Sequence, residues 1–403
     1  MTSKEHKKHA ALNKPAYGHF GRNEWAIVGA PCDKVKALAD RVFEALSPAC
    51  QCAYIDADHP HDEDVHAPTG RLHAGATWEY SNKNSYQQIN YRHSLNAFQY
   101  RQIFSQADMI LVNGNHFEAA AQVVVMDNAK KPSLIKRLGQ LNNVGLLLLS
   151  GDVAEPFDFI REALPHWQQI PLYRLEDTDK IIGFFTEQLR RTAAPLYGLV
   201  LAGGKSVRMG GNDKGMMAWH GREQRYYIAD MLKAHCREVY ISCRPEQQAD
   251  IDRDRPVLPD SFSDLGPYGA ILSAFRAQPD AAWLVVACDL PLLNPTTLEY
   301  LVQHRQQKSI ATTFTSPWDG LPEPLITIWE PRSYPVLLSF LSQGYSCPRK
   351  ALINNDTTLL SAPDPDVLLN VNTPVDAERV KQLIEEKLQA TSHKLQDGFA
   401  NSL

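Results

Sequence analysis

The sequence lacks the features that are typical of membrane, disulfide-rich and nucleic-acid-coating proteins. It has seven cysteines in 403 residues and no CxxC pair, which argues against a disulfide framework and favours a reducing compartment. No segment approaches 18 uninterrupted apolar residues, so we predict no transmembrane helix and no membrane partner. Lys and Arg total 41 against 46 Asp and Glu, a net charge of −5, so we expect no nucleic-acid partner. A cytoplasmic globular protein of two or three domains is predicted.

Short β-branched runs alternate with longer helical patterns along the chain, which predicts an α/β fold. In the first half the predicted strands are Trp25–Val28, Met109–Val112, Gln122–Met126 and Val144–Leu149, with helices at Lys34–Leu46, Pro132–Leu141 and Asp177–Arg190. In the second half the predicted strands are Tyr197–Leu201, Val239–Ser242 and Trp283–Ala287, with helices at Arg225–Ala234 and Tyr268–Ala277. We therefore predict two Rossmann-like three-layer domains, 23–192 and 196–388, between flexible tails at 1–22 and 389–403.

A glycine-rich loop follows the strand predicted at Tyr197–Leu201. Its sequence is Leu201-Ala202-Gly203-Gly204-Lys205-Ser206-Val207-Arg208-Met209-Gly210-Gly211-Asn212-Asp213-Lys214-Gly215. Glycines let the backbone approach a ligand, and successive N–H groups can bind phosphate oxygens. The spacing is neither GxxxxGK(S/T) nor GxGxxG. The residues alone leave two interpretations open: a phosphate-binding loop, or a glycine-rich turn with solvated basic side chains.

Four further segments extend this pattern downstream. They are Val257-Leu258-Pro259-Asp260 followed by Gly266-Pro267, then Ala287-Cys288-Asp289-Leu290-Pro291, then Gly320-Leu321-Pro322-Glu323-Pro324-Leu325, and finally Asn370-Val371-Asn372-Thr373-Pro374. With the loop, which is similar to LAGGxSxRMGxxDK, they resemble the molybdenum cofactor guanylyltransferases in the order of their motifs. This resemblance implies a nucleotide-diphospho-sugar-transferase-like fold for the second domain.

The resemblance also implies an activity. The enzyme would transfer GMP from GTP to molybdenum-molybdopterin, release pyrophosphate and form molybdopterin guanine dinucleotide. The implied nucleotide-binding residues are Leu201, Ala202, Gly203, Gly204, Lys214, Asp260 and Asp289. Lys205, Arg208 and Lys214 would be catalytic, Asn370 and Asn372 would bind molybdopterin, and Asp289 would bind Mg²⁺.

Some of these residues have simpler interpretations. Asp289 follows a predicted strand, where α/β sheets form their ligand crevice; it could instead cap a helix beginning at Pro295, although Asn294 can supply that cap. Asp260 could belong to a plain turn, and Asn370 and Asn372 could be loop caps.

Two details of the pattern bear on base recognition. The family often has an asparagine near Ile241–Arg244, which is missing here, so Ser242 or Arg244 would replace it. The LAGG sequence is associated with GTP in this family, whereas related cytidylyltransferases have LAAG, so Gly203 favours GTP.

The first half shows a weaker resemblance. Trp25–Lys36, Asp56–Asp62 and Leu111–Gly114 resemble the GTP-binding adaptor of molybdopterin-guanine dinucleotide synthesis. Against GxxxxGK(S/T) only Gly29 matches, and Lys34, Val35 and Lys36 occupy the last three positions. The phosphate-binding lysine and the Mg²⁺-binding hydroxyl are therefore lost. We predict a degenerate P-loop-NTPase-like domain without GTPase activity, which would bind the cofactor or pass it to molybdoenzyme apoproteins or their chaperones.

Two other features of the first half leave alternatives open. The run from Asp56 to His73 contains four histidines and five acidic residues; it could bind a metal or a phosphate, but an acidic loop with incidental histidines is favoured. The aromatic residues Trp78, Tyr80, Tyr86, Tyr91 and Tyr100 are expected in core or interface packing rather than in pterin stacking.

Two other functions remain open for the whole chain. One is a nucleotidyltransferase that uses CTP or a sugar phosphate. The other is a non-catalytic cofactor carrier, in which both halves bind nucleotide or cofactor and pass it to partner enzymes.

Overall fold

The computed structural model describes residues 16–58, 70–203 and 214–386. They form two compact units, Ala16–Thr192 and the part of the chain from Ala193 onward. Each unit has its own sheet with helices on both faces. The predicted mixed α/β architecture is thereby confirmed.

The first unit contains a six-stranded sheet in which all neighbouring strands are parallel, in the order β2-β5-β1-β6-β7-β8. Its strands are β1 (Glu24–Val28), β2 (Cys52–Ile55), β5 (Met109–Asn113), β6 (Ala121–Met126), β7 (Val144–Leu149) and β8 (Leu172–Arg174). The central strands β1, β5 and β6 are buried along their whole length. This explains why their sequences are apolar runs without alternation.

Helices cover both faces of this sheet. The helices of this unit are α1 (Cys32–Leu46), α2 (Gly70–His73), α3 (Ala97–Ile103), α4 (Lys131–Ile135), α5 (Asp158–Ala163) and α6 (Thr178–Arg191), of which α2 has no buried residue. Apolar residues of α1 and α6 share one core with Ile27 and Val125, and those of α4 and α5 share another with Val28 and Val124. Because side chains alternate along a strand, the sheet lies between two helical layers.

The predicted helix at Pro132–Leu141 is wrong in its extent. The α-helix α4 ends at Ile135, and only one 3₁₀ turn follows at Leu138–Gln140. Leu134 is the one residue of α4 that is buried. A short segment with a single buried position gains little from packing, and helices this short depend on packing.

The predicted N-terminal tail includes residues that belong to the folded first unit. Phe20 is buried and makes edge contacts with the rings of Tyr100, Phe104 and Phe117. The buried carboxylate of Glu24 accepts hydrogen bonds from the backbone N–H groups of His19, Phe20, Gly21 and Ala120, at 2.7–3.1 Å. Residues 19–22 are therefore part of the first unit, contrary to the prediction of a flexible tail at 1–22.

A separate two-stranded antiparallel sheet consists of β3 (Trp78–Asn82) and β4 (Gln87–Tyr91). Trp78, Tyr80 and Tyr86 are more than half exposed, and the ring of Trp78 stacks on that of Tyr91 at 3.9 Å. The three exposed residues therefore do not pack in a core, and the alternative of interface packing stays a prediction for them.

The second unit contains a seven-stranded mixed sheet in the order β11-β10-β9-β12-β14-β13-β15. Its strands are β9 (Leu196–Leu201), β10 (Val239–Cys243), β11 (Val257–Pro259), β12 (Ala282–Ala287), β13 (Ala311–Thr315), β14 (Pro322–Trp329) and β15 (Thr357–Leu360). Strand β14 is antiparallel to both of its neighbours, whereas the other pairs are parallel. The beginning of β14 therefore lies at the same edge of the sheet as the end of β12.

Helices again lie on both faces of this sheet. They are α7 (Gln224–Leu232), α8 (Pro267–Ala277), α9 (Pro295–Gln303), α10 (Ser333–Ser342) and α11 (Pro348–Ile353), followed by a helix at 374–386. Helices α7 and α9 share a core with Val200 and Leu284, and helices α8, α10 and α11 share one with Leu199 and Val285. In the described parts of both units, every helix is too short or too polar to cross a membrane.

Candidate active site

The carboxyl end of β9 lies at a reversal of strand order. After β9 the chain adds β10 and β11 on one side and then crosses to add β12 on the other side. Adjacent loops leave such a point in opposite directions, and α/β sheets form their ligand crevice there. Residues that follow β9, β10, β11 and β12 are therefore candidates for the site.

The first residues of the glycine-rich loop lie between the ends of the two neighbouring strands. The N–H of Ala202 donates to the carbonyl of Ser242 at 3.0 Å, and the carbonyl of Leu201 accepts from the N–H of Cys288 at 3.4 Å. A Cβ atom on Gly203 would lie 3.4 Å from the backbone nitrogen of Arg244. The loop thus begins beside β10 and beside the residue that precedes Asp289.

Much of the loop lies outside the described residues. Gly204, Lys205 and Arg208 fall in the gap between 203 and 214. The backbone of Lys214 begins a 3₁₀ turn at Lys214–Met216. The structure therefore describes the entry and the exit of the loop.

Asp260 follows β11, two strands away from β9. Its Oδ1 accepts a hydrogen bond from the hydroxyl of Ser242 at 2.9 Å, and its backbone N–H donates to the carbonyl of Cys243 at 3.1 Å. Burial raises the pKa of the Asp260 carboxyl group, and the hydrogen bond from Ser242 opposes this shift. Ser242 therefore positions Asp260, while Arg244 forms an ion pair with Glu246 at 3.0 Å.

Asp289 follows β12 and is partly buried. The carbonyl of Asp289 accepts from the N–H of Val371 at 2.9 Å, which connects this loop to the segment around Asn370 and Asn372. The cap of α9 is Asn294, whose Oδ1 accepts from the N–H of Thr297 at 2.9 Å. The alternative that Asp289 caps this helix is therefore wrong.

A cavity of about 220 Å³ lies beside Asp289. Its lining is Asp289, Leu290, Glu323, Pro324, Leu325, Ile326, Arg349, Leu368, Asn370 and Asn372. Asp289 is thus brought together with Asn370 and Asn372, which lie about 80 residues later in the sequence. Asp260 does not line this cavity, because β9 and β10 lie between β12 and β11.

Two charged residues of the cavity were missed by the sequence analysis as functional residues. One Nη of Arg349 donates to Glu323 at 3.1 Å, and the other donates to Asp319 at 3.0 Å. Glu323 lies in a segment that the resemblance includes, but no pattern in the sequence singles out its carboxylate. Arg349 is at the second position of α11 and follows no motif.

His220, which precedes α7, and Gln224, the first residue of α7, both contact the loop after Asp289. Nε2 of His220 is 2.7 Å from the carbonyl oxygen of Pro291, and Nε2 of Gln224 donates to the carbonyl of Leu290 at 3.2 Å. The His220 ring also stacks on Tyr227 at 4.0 Å. Both contacts restrain the backbone that carries Asp289, and neither residue was identified from the sequence.

No group of three or more His, Cys, Asp or Glu side chains is arranged to bind a metal in residues 16–58, 70–203 and 214–386. His59, His61 and His66 of the acidic run lie outside those ranges. A metal at Asp289 would therefore have few protein ligands among the described residues.

At the carboxyl edge of the first sheet, basic side chains are paired with acids. Nζ of Lys34 lies 2.7 Å from Oδ2 of Asp127 and 3.0 Å from Oγ of Ser150. The hydrogen bond with Asp127 raises the pKa of Lys34, so the lysine stays charged in this pair. Asp56, at the end of β2, accepts from Asn113 at 2.9 Å and lies 3.7 Å from Lys36.

Comparison with known proteins gives a family match within the second unit. Residues 198–357 match the MobA-like NTP transferase domain. The chain is 36% identical over 183 residues to the molybdenum cofactor biosynthesis bifunctional protein of Synechocystis, a match that covers 45% of this chain and 52% of that protein. It is 27% identical over 191 residues to the molybdenum cofactor guanylyltransferase of Pseudomonas entomophila, which covers 44% of this chain and 99% of the relative.

Two solved structures are also similar to this chain. Molybdopterin-guanine dinucleotide biosynthesis protein A from Archaeoglobus fulgidus is 20% identical with a TM-score of 0.40, and the match covers 47% of this chain and 99% of that one. Bacillus subtilis MobB is 12% identical with a TM-score of 0.32, and the match covers 41% of this chain and 97% of that one. The chain thus spans about half the length of the Synechocystis relative, and the family match supports a nucleotidyltransferase.

Proposed function

We propose that the chain, whose residues 198–357 form a MobA-like NTP transferase domain, transfers GMP from GTP to molybdenum-molybdopterin and releases pyrophosphate. One observation carries the proposal. The entry of the glycine-rich loop and Asp289 follow neighbouring parallel strands, β9 and β12, whose last residues, Leu201 and Ala287, are paired. A triphosphate held by the loop would then lie beside the carboxylate, as a nucleotidyltransferase requires.

The reaction does not need a general base from the protein. The terminal phosphate of the acceptor is largely ionised at pH 7, because the second pKa of a phosphate monoester is about 6. One of its oxygens forms a bond to the α-phosphorus of GTP, the bond from that phosphorus to the bridging oxygen breaks, and pyrophosphate leaves with the electron pair. The barrier comes from the approach of two anions and from charge on the leaving group.

The loop residues would offset these charges. We propose that Lys205, Arg208 and Lys214, with the backbone N–H groups of Gly203 and Gly204, bind the phosphates of GTP and stabilise the transition state. These contacts position the triphosphate for attack, which is the main contribution that a protein makes to nucleotidyl transfer. Leu201 and Ala202 would shape the entry of the loop, because the N–H of Ala202 already donates to the carbonyl of Ser242.

The donor set around Asp289 fits Mg²⁺. This ion is usually held by one or two carboxylates together with substrate phosphates and water, rather than by a complete set of protein ligands. A single carboxylate at a strand end, with its Oδ1 buried from solvent, agrees with that preference. When bound, Mg²⁺ would neutralise charge on the phosphates, and the role of Asp289 would be to hold it at the end of β12.

Base recognition is proposed for the opposite side of the loop. Asp260 is held by Ser242 at the ends of β10 and β11, and a carboxylate there can accept hydrogen bonds from the N1–H and amino groups of guanine. Asn370 and Asn372, in the cavity with Asp289, are proposed to bind molybdopterin. The acceptor and the base would thus lie on opposite sides of β9.

For the first unit we propose a degenerate P-loop-like domain, found in the cytoplasm with the rest of the chain, that binds the cofactor or passes it to molybdoenzyme apoproteins or their chaperones. The pairing of Lys34 with Asp127 and Ser150 supports a loss of nucleotide hydrolysis, because these two contacts use two of the three N–H donors of the ammonium group.

A pyrophosphate-release assay tests the transferase activity. The full chain is incubated with Mg²⁺, molybdenum-molybdopterin and either GTP or CTP, and the base in the dinucleotide product is identified. We expect release with GTP, and a loss of at least about a hundredfold in Asp289→Ala. The control is Asp254→Ala, an exposed aspartate that precedes β11 at the other edge of the sheet.

The possible results separate the alternatives. A product that contains cytosine would replace the proposal with a CTP-dependent enzyme. Binding of nucleotide and cofactor without release of pyrophosphate would indicate the carrier. An Asp289→Ala protein as active as Asp254→Ala would remove the proposed role of Asp289.

A further inference from the structure

We propose that Arg349 binds the terminal phosphate of the acceptor, a phosphate monoester on a pterin, and so sets the enzyme's preference for a phosphorylated acceptor. This inference rests on the proposed function, which does not itself assign Arg349. Its basis is the cavity beside Asp289, in which Arg349 is a lining residue.

The charges of the cavity support this role. Among the lining residues Asp289 and Glu323 are acidic, and Arg349 is basic. The acceptor phosphate must come close to Asp289 to reach the α-phosphorus, and as a dianion it would be repelled by two carboxylates. A cation in the same cavity is therefore needed on the acceptor side, since we assign the basic residues of the glycine-rich loop to the phosphates of GTP.

The guanidinium of Arg349 has donors left for a ligand. A guanidinium has five N–H groups, and its hydrogen bonds within the described residues are the two to Asp319 and Glu323. The side chain is 31% exposed, so a ligand can reach the remaining donors. Arginine binds phosphate with paired N–H groups, and charge-assisted bonds of this type are among the strongest hydrogen bonds in proteins.

The two acids fix the orientation of this guanidinium. Asp319 lies in the loop between β13 and β14, and Glu323 lies near the start of β14, with a side chain that is 8% exposed. Each takes one Nη, so the plane of the group is set before a ligand arrives. A group oriented in advance loses less entropy on binding, which increases affinity.

The size of the cavity fits a part of the acceptor. A volume of about 220 Å³ is below the roughly 300–1,000 Å³ of pockets that enclose a whole drug-sized ligand. It can hold a phosphate with the atoms next to it. The pterin rings would then extend beyond the cavity.

A purely structural role for Arg349 would give a different result in one experiment. In that case Arg349 would only neutralise the buried Glu323, and removing Arg349 would harm the protein by leaving that charge unpaired. Removing both charges, in Arg349→Ala combined with Glu323→Gln, would then restore function. A phosphate-binding role predicts that the double variant folds well and still binds the acceptor more weakly than Glu323→Gln alone, which lacks the same carboxylate.

The test measures binding, so it does not depend on turnover. The full chain is titrated with molybdopterin, with molybdopterin from which phosphatase has removed the phosphate, and with GTP. For Arg349→Ala we expect about 10- to 100-fold weaker binding of the phosphorylated acceptor, with GTP binding unchanged. Arg349→Lys should bind with intermediate affinity because it keeps the charge but loses the paired donors. Arg276→Ala, at an exposed arginine in the last turn of α8, is the matched control.

Three results would overturn the proposal. They are equal affinity of the wild-type protein for the two acceptors, acceptor binding by the double variant as tight as by Glu323→Gln alone, and an equal loss of GTP and acceptor binding in Arg349→Ala. Failure of the proposed function is distinguishable from these. It would appear as a wild-type protein that binds the phosphorylated acceptor through Arg349 but releases no pyrophosphate from GTP.

Discussion

Asp260 shows how a residue proposed to bind a ligand can reduce the stability of the protein. Burial raises the pKa of its carboxyl group, against the hydrogen bond from Ser242. A carboxyl whose pKa is higher in the folded than in the unfolded state binds its proton more tightly when folded. Its contribution favours folding at low pH and is lost as the pH rises through the folded pKa. At pH 7 the ionised Asp260 therefore lowers the free energy of unfolding.

Because ionised Asp260 lowers the free energy of unfolding at pH 7, we expect Asp260→Asn to stabilise the protein. The amide keeps an oxygen that can accept from Ser242 but has no charge to bury. We expect a higher Tm than that of the wild type at pH 7.5, a difference that shrinks as the pH falls toward about 4, and weaker GTP binding. Thermal unfolding at several pH values and a GTP titration measure both effects. Asp254→Asn, at an exposed position, should leave both unchanged, and a lower Tm of Asp260→Asn at pH 7.5 would contradict this account.

Gly203 allows a separate test of base selectivity, because the structure has room for a side chain there. The nearest atoms to an added Cβ would be the backbone of Cys243 and Arg244 at 3.4–3.5 Å, which is ordinary contact. We expect Gly203→Ala to fold with stability within about 1 kcal/mol of the wild type. It should discriminate less well between GTP and CTP, as measured by the ratio of kcat/KM for the two nucleotides. An unchanged ratio in a folded variant would show that position 203 does not determine which base is bound.

Two glycines within helices are expected to respond to alanine in opposite directions. In α8, a Cβ on Gly269 would clash with the carbonyl oxygen of Phe262, a backbone atom in the segment that follows Asp260. In α6, a Cβ on Gly183 would have no atom within 4 Å. Helix propensity favours alanine at both positions by about 1 kcal/mol, so the surroundings decide the result.

We therefore predict that Gly183→Ala stabilises the protein by roughly 0.5–1 kcal/mol, whereas Gly269→Ala destabilises it by about 1–3 kcal/mol through overpacking. Urea unfolding of the two variants measures this difference. Gly269→Ala should also weaken GTP binding by displacing the segment next to Asp260, and Gly183→Ala should not. Stabilisation by both substitutions would show that the backbone around Phe262 moves freely.

The accuracy of the sequence predictions varied with the kind of element. Buried strands such as Val144–Leu149 were predicted within one or two residues of the observed ends, because an apolar run between turns has few alternatives. The edge strands β2 and β8 and the hairpin β3–β4 were not predicted, because their side chains are only partly buried and show little hydrophobic pattern. Strands β13 and β14 were also not predicted, although they are largely buried, because threonines or prolines interrupt their apolar residues. The hairpin even exposes Trp78 and Tyr80, contrary to the usual packing of aromatic residues.

For the site, sequence motifs identified residues but not their contacts. Asp289 comes from one motif and Asn370 and Asn372 from another, and the structure brings the two motifs to one cavity. Their roles, like those of Asp260 and of the loop residues, stay predictions. Arg349, His220 and Gln224 could not be identified, because only tertiary contacts bring each to the site and none has a distinctive local pattern.

At the scale of the whole chain, the proposed transferase residues all belong to the unit that begins at Ala193. That unit has a complete seven-stranded sheet with cores on both faces. A chain segment with its own core can fold alone. We predict that residues 193–403 release pyrophosphate from GTP, with acceptor and Mg²⁺, at a rate within about tenfold of the full chain, taking tenfold as 1.4 kcal/mol. A folded fragment without activity would show that the first unit takes part in the reaction.

The first unit is expected to contribute no GTP hydrolysis, since Lys34 at the carboxyl edge of its sheet is already paired with Asp127. Lys34 and Asp127 each favour the charged form of the other. Hydrogen bonds from Lys34 and Ser150 lower the pKa of Asp127, although its burial acts in the opposite direction. The hydrogen bond with Asp127 raises the pKa of Lys34. Both groups thus stay ionised at neutral pH.

We predict that the full chain with Asp289→Ala, in which the transferase is disabled, hydrolyses GTP no faster than a buffer blank. Asp127→Asn in that background should free the lysine and increase binding of inorganic phosphate, measured by calorimetry, without creating hydrolysis, because no hydroxyl for Mg²⁺ follows Lys34 in the sequence. GTP hydrolysis by the Asp289→Ala protein would refute the proposal that the first unit has lost nucleotide hydrolysis. Unchanged phosphate binding in Asp127→Asn would show that the ion pair does not prevent Lys34 from binding phosphate.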